Sequence, residues 1–373
     1  MKKNILKLVV VFVTFFITWT IMNTQPVQSW WMKTIFELSL GDKKEQLETF
    51  QYDHVTIHTD QPERITELFE PNLDGIDQLS SAWFEPASKD YPEVTVYAIE
   101  PNLVMNIMLR GANGMYISSS QIILLNMNLD DDRILHGYTH EYAHYRMFNY
   151  LKEVDVNHKE VPMWFHEGVA EAFGHRFAPL PFAESMDLWD VEAMFEKEAT
   201  DRLTGGEYIM SQFLVEHFLY TKGDEAVHTV LSNLTKSSDL ETVLEEQLNY
   251  THTDLKSYLA AEDETVEDLM NRTEAEVGNE QFQAEVLAFH EKKQPYYYNA
   301  QLVTNIIFRM YESDEKWLEM AELSEYRMNY VQRDYFSYQL AADYAKKGGN
   351  QEKEAYYLAK AEEEKAKEES EQQ

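Results

Sequence analysis

The five residues His140-Glu141-Tyr142-Ala143-His144 constrain this chain more than any other stretch. Four residues along an α-helix advance ~400° and ~6 Å, so histidines at that spacing project from one face, one turn apart. Both imidazoles then reach a single metal ion. Glu141 stands ~100° round, beside the ion and not on it, where a carboxylate suits a base acting on water. A third ligand must come from elsewhere in the fold. The chain has no cysteine, so thiolate ligands, disulfides and cysteine nucleophiles are excluded and any metal site must use histidine and carboxylate. His136 shares the same face one turn earlier. The outer imidazoles of such a three-step ladder lie ~12 Å apart and cannot share one ion, so His136 reads as a helix-start or outer-shell residue.

The third ligand appears in Trp164-Phe165-His166-Glu167-Gly168. Glu167 lies 23 residues after His144, on a second helix that follows a loop ending at Pro162. With both motifs in place, the chain resembles the gluzincin group of zinc metallopeptidases, and in particular the peptidase MA-like domains of bacterial exported proteins. The resemblance rests on His140, Glu141 and His144, on Trp164, Glu167 and Gly168, and on the order of elements over roughly residues 51–260. It implies one zinc ion held by His140, His144 and Glu167, with Glu171 as an acidic outer-shell residue accepting an imidazole N–H. Where the family often has a small or amide residue before the Glu-Gly pair, this chain has His166. As a helical neighbour of the ligand it points elsewhere and is not expected to bind the metal, although it could reach substrate.

The order of elements predicts α+β architecture: a small antiparallel or mixed sheet, a helical zinc-binding lobe of zincin type, and an all-helical C-terminal region. Alternation in Tyr52–Thr59 predicts a strand. A helical stretch over 63–84, interrupted at Pro71 and Gly75, precedes a second strand over 91–100. A turn and a third strand follow over 111–128. Asp130 to Asp132 should cap the motif helix. Residues 30–50 read as a polar connector with some helical character, residues 51–265 as the catalytic domain and residues 280–373 as the C-terminal region. The charged stretch Glu262 to Glu280 would separate the last two. Near the C-terminus, the Gly348-Gly349 pair with Ala355 and Ala361 resembles one tetratricopeptide-like hairpin, or equally an acidic helical pair, and the charged tail from Glu362 is expected to fray.

Lys2, Lys3 and Lys7 precede an apolar run from Leu8 to Met22, which predicts an export signal or a single membrane anchor within residues 1–29. Either reading puts the bulk of the chain outside the cytoplasm. A net charge of −34 argues against nucleic acid as a partner, because phosphates would be repelled.

The implied reaction is peptide hydrolysis, with Glu141 moving the proton from attacking water to the leaving amine. Related enzymes place a tyrosine or histidine after the third ligand to steady the oxyanion. Tyr208 is the candidate here, with Tyr220 behind it, although either could equally fill a core or surface role. The segment Gly111–Ser120 is expected at a sheet edge, where a peptide substrate could pair with it, or else as a hairpin turn before a core strand. Two other classes stay open: a surface binding or assembly protein whose C-terminal helices hold a partner, and a zinc hydrolase acting on other bonds.

Overall fold

The computed structural model describes residues 25–84, 91–179, 194, 203, 205–235, 240–293, 300–330 and 334–371. The predicted export segment, Leu8 to Met22, lies outside the described residues. Among the described residues no helix is long and apolar enough to cross a membrane. The chain divides into two compact units, Met1–Glu153 and Val154–Gln373.

The first unit is built on a five-stranded mixed sheet. Its strands are β1 (Glu48–Tyr52), β2 (Val55–Thr59), β3 (Val94–Ile99), β4 (Gly114–Ile117) and β5 (Ile122–Asn126), in the order β1-β2-β3-β5-β4. The outer pairs are antiparallel and the two inner pairings parallel. The strand expected over Tyr52–Thr59 is present as β2 over Val55–Thr59, while Tyr52 ends an additional strand, β1, and Asp53-His54 forms the hairpin turn between them. Asp53 takes φ +46° and turns the chain between Tyr52 and Val55, a left-handed conformation that Asp tolerates better than most residues. The strand expected over 111–128 is likewise two antiparallel strands. One of them, β4, is an edge strand, as the Gly111–Ser120 segment was expected to provide.

The helical character expected within residues 30–50 is helix α1 (Gln25–Leu40), which packs into the core of this unit and does not merely connect. Phe36 and Leu40 are buried against Tyr97, Ile99, Met105, Leu109, Ile122 and Leu124. Pro62 opens α2 (Pro62–Leu68), and α3 (Leu73–Phe84) follows a 3₁₀ turn containing Pro71, so the interruption expected at Pro71 is observed, whereas Gly75 lies inside α3 and does not interrupt it. Helix α4 (Leu103–Leu109) starts at Asn102, whose side chain accepts from the Met105 amide at 2.9 Å. The motif helix, α5 (Asp131–Glu153), lies against β4 and β5. Asp130 accepts from the Arg133 amide at 3.0 Å, the expected cap, and Arg64 donates to Met127 and Leu129 carbonyls and to Asp131. Each fully buried branched residue of this sheet, Ile57 and Ile123 among them, contributes about 1.5–3 kcal/mol.

The second unit is helical: α6 (Met163–His175), α7 (Gly205–Lys222), α8 (Ala226–Asn233), α9 (Leu240–Leu248), α10 (His252–Glu276), α11 (Glu280–Lys293), α12 (Ala300–Ser313), α13 (Trp317–Tyr330), α14 (Tyr335–Lys347) and α15 (Gln351–Glu371). The α6–α7 contact is very close. A Cβ on Gly168 would run into the Ser211 carbonyl oxygen. Gly168→Ala is therefore expected to destabilise this unit by about 1–3 kcal/mol. A thermal melt followed by tryptophan emission should read this as a fall of roughly 2–4 °C per kcal/mol.

The stretch Glu262 to Glu280 does not separate two regions. Most of it is continuous helix α10, whose Val266 and Leu269 join Phe282, Val286, Val303, Ile306 and Ile307 in one core. Ala341, Ala342 and Ala345 on α14 pack with Ala321, Met328 and Tyr357, so α14 and α15 form the expected hairpin. Ala361 is buried there but Ala355 is exposed. Helix α15 runs to Glu371, so the charged tail from Glu362 is helical and not frayed.

Candidate metal centre

The front of α5 carries the motif as the spacing requires. The Nε2 atoms of His140 and His144 lie 3.1 Å apart. Two nitrogens bound to one tetrahedral zinc at ~2.0–2.1 Å would lie ~3.3 Å apart, so the pair already has the separation of two ligands. Glu141 is buried, and its Oε2 accepts from the backbone N–H of Tyr116 on β4 at 2.7 Å. Gly114, also on β4, makes room for it: a Cβ there would stand 2.9 Å from Glu141 Cγ and 3.2 Å from the Leu124 carbonyl oxygen. The edge strand thus fixes the rotamer of the carboxylate between the two histidines.

The back of α5 is fixed as firmly. Tyr142, between the motif histidines, is buried, and its hydroxyl takes a hydrogen bond from Arg146 at 2.9 Å and lies 3.0 Å from His54 Nε2. The Arg146 guanidinium sits 3.9 Å above the Tyr91 ring, with Asp77 at 3.7 Å. Burial alone would weaken its charge, but Tyr142 and Tyr91 outweigh that and hold the guanidinium more firmly protonated than usual. Burial pushes the Tyr142 hydroxyl up, so it stays neutral and keeps its proton to share.

On α6, Glu167 and Glu171 are partly buried and one turn apart. His166 Nδ1 lies 3.6 Å from Glu167 Oε1. Two groups of side chains could hold a metal ion: His140, His144 and Glu167, and His136, His140 and Glu171. In each, the ligand atoms lie within 4.8 Å of one another. The first is the ligand set expected from the sequence. The second joins His136, expected as a helix-start or outer-shell residue, to Glu171, expected in the outer shell. His166 belongs to neither. Tyr208 stands in the first turn of α7 and Tyr220 near its end, both partly buried.

Two features escaped the sequence analysis. One is the Tyr116 amide: a backbone donor leaves no mark in a sequence, although the Gly-rich lead into β4 pointed at that strand. The other lies within the second unit. His175 Nδ1 is 3.2 Å from Glu216 Oε1, and Gln212, hydrogen bonded to His175, donates to Glu216 at 2.9 Å; all three are buried. This polar clamp ties α6 to α7 one turn beyond Glu171. The i, i+4 series Glu167, Glu171, His175 was its only available signal.

No family model matches the chain, and no solved structure matches it. A curated protein, YhcO of Bacillus subtilis (strain 168), described as uncharacterized, is 24% identical over 110 residues, which is 27% of this chain and 33% of that one. The chain therefore spans about a third of the length of this curated relative.

Proposed function

We propose that this chain is an exported, zinc-dependent metallopeptidase. The observation that carries the reading is the meeting of His140, His144 and Glu167 as one candidate ligand group, with Glu141 anchored beside it. The donor set is two imidazoles and one carboxylate, a combination found in catalytic zinc sites that keep a position open. His140 and Glu167 are partly exposed, which leaves a route for water and substrate. A zinc ion there would supply Lewis acidity, polarising a carbonyl and bringing the pKa of water toward ~7.

The chain's own residues do the rest. Glu141, held by the Tyr116 amide, takes a proton from the attacking water and delivers it to the leaving nitrogen. Glu171 orients a ligand imidazole by accepting its N–H. Substrate backbone would run along β4 and pair with the outward backbone groups that the Glu141–Tyr116 bond leaves unused, with alternate side chains setting specificity. The Tyr208 hydroxyl would donate to the developing oxyanion, with Tyr220 behind it; one well-aimed donor contributes about 2.7–4 kcal/mol to such a step.

The test is reconstitution. Metal-stripped chain should leave a mixed peptide library intact, and one equivalent of zinc should restore cleavage. A zinc-loaded chain that cuts no peptide but hydrolyses an ester or amide of another kind would replace this reading with a different hydrolase.

A further inference from the structure

The first unit carries an apolar surface that its own fold does not use. Helices α1 and α4 lie side by side on one face of the sheet. They share a core through Phe36, Leu40, Met105 and Leu109, and the Asn102 side chain donates to Ser39 Oγ at 3.0 Å. With those residues turned inward, the outward positions of both helices should be polar. They are not: Leu38 is 74% exposed, Leu103 77%, Ile107 65% and Ile35 44%. Singly exposed leucines are unremarkable, but four large aliphatic side chains on the outer faces of two adjoining helices mark an interaction surface.

Charge is distributed with the same bias. From the start of α1, residues 25–47 hold three lysines against three acidic residues, and residues 101–114 hold one charge, Arg110. The net charge of −34 therefore arises entirely elsewhere in the chain. The two stretches that bear the apolar surface are thus close to neutral, so a bilayer surface would not repel them. The sequence of α1 includes Trp30 and Trp31, a residue type enriched at membrane–water interfaces, and the Leu8–Met22 run immediately precedes that helix.

We propose that the α1–α4 face rests on the surface of a lipid bilayer, with Leu38, Leu103 and Ile107 entering the headgroup–acyl boundary. The proposal rests on the anchored reading of the N-terminal segment and is independent of zinc. Membrane attachment through one apolar segment alone leaves a domain free to tumble; a second, amphipathic contact fixes its orientation.

The absence of native cysteine makes the test direct. Leu103→Cys and Ile107→Cys, each in the full chain, are labelled with an environment-sensitive fluorophore and reconstituted into vesicles of phosphatidylcholine and phosphatidylglycerol. Glu67→Cys, on exposed α2, serves as control. Brominated acyl chains should cut emission from positions 103 and 107 about twofold more than from position 67, the depth expected of an interfacial helix. The difference should persist in vesicles of phosphatidylcholine alone, because the face is close to neutral. Vesicle-bound chain whose 103 and 107 probes stay open to iodide and untouched by bromolipid overturns the docking while leaving the anchor intact. Probes shielded from both quenchers overturn it in favour of a second copy or another segment of this chain. Failure of the chain to stay with vesicles removes docking and anchor together, with the zinc reading unaffected.

Discussion

Glu141→Gln is expected to bind one zinc ion per chain and to hydrolyse peptide bonds about 10²–10⁴-fold more slowly than the wild type. The substitution is chosen for what it preserves. The glutamine carbonyl oxygen can still accept from the Tyr116 amide, which now lies 2.7 Å from Glu141 Oε2, so the side chain should keep its place. What is lost is the capacity to accept a proton from water and pass it on. Zinc content by atomic absorption and single-turnover cleavage of a quenched peptide measure the two properties separately. Cleavage at the wild-type rate by the zinc-loaded variant would remove Glu141 from the mechanism. Loss of zinc together with activity would make the residue a ligand or scaffold instead.

The second large effect separates the two ligand groups. They share His140, and a neutral imidazole has one free lone pair, so one ion at most can use it at a time. If His140, His144 and Glu167 hold the metal, His144→Ala and Glu167→Ala should each weaken zinc binding roughly a thousandfold. That figure takes a third of an apparent ~12 kcal/mol for a protein zinc site, ~4 kcal/mol per ligand. Glu171→Ala, which removes only an orienting carboxylate, should cost about 10–100-fold. His136→Ala should cost no more than that. Competition titration with a chelating dye orders the four variants. The reverse order, with His136 and Glu171 dominant, would move the ion one helical turn away from Glu141 and leave that carboxylate without a nucleophile to activate.

What the sequence could reveal followed the range of the interactions involved. The motif helix, its acidic cap and the second helix with Glu167 were legible because helical periodicity and caps are local. The α+β order was legible for the same reason. The β1–β2 hairpin was not, because its turn is Asp53-His54 with no glycine or proline to punctuate it. Helix α1 was legible only as helical character within a connector, because its packing into the core is a contact between distant stretches. At the candidate site, the pairing of His140 with His144 and the placing of Glu141 beside them could be read from spacing. The Tyr116 amide and the His175–Glu216–Gln212 clamp could not, since one is backbone and the other exists only once two helices meet.

The sealed guanidinium of Arg146 bears on how this helix can change over evolutionary time. Its charge is satisfied by Tyr142, stacked on Tyr91 and reached by Asp77. Losing any one of these neighbours strands a cation in an apolar interior, which is costlier than losing the cation as well. Drift at these four positions is thus expected to be concerted, all retained or all exchanged together, whereas the solvent-facing residues of the same helix can vary one at a time.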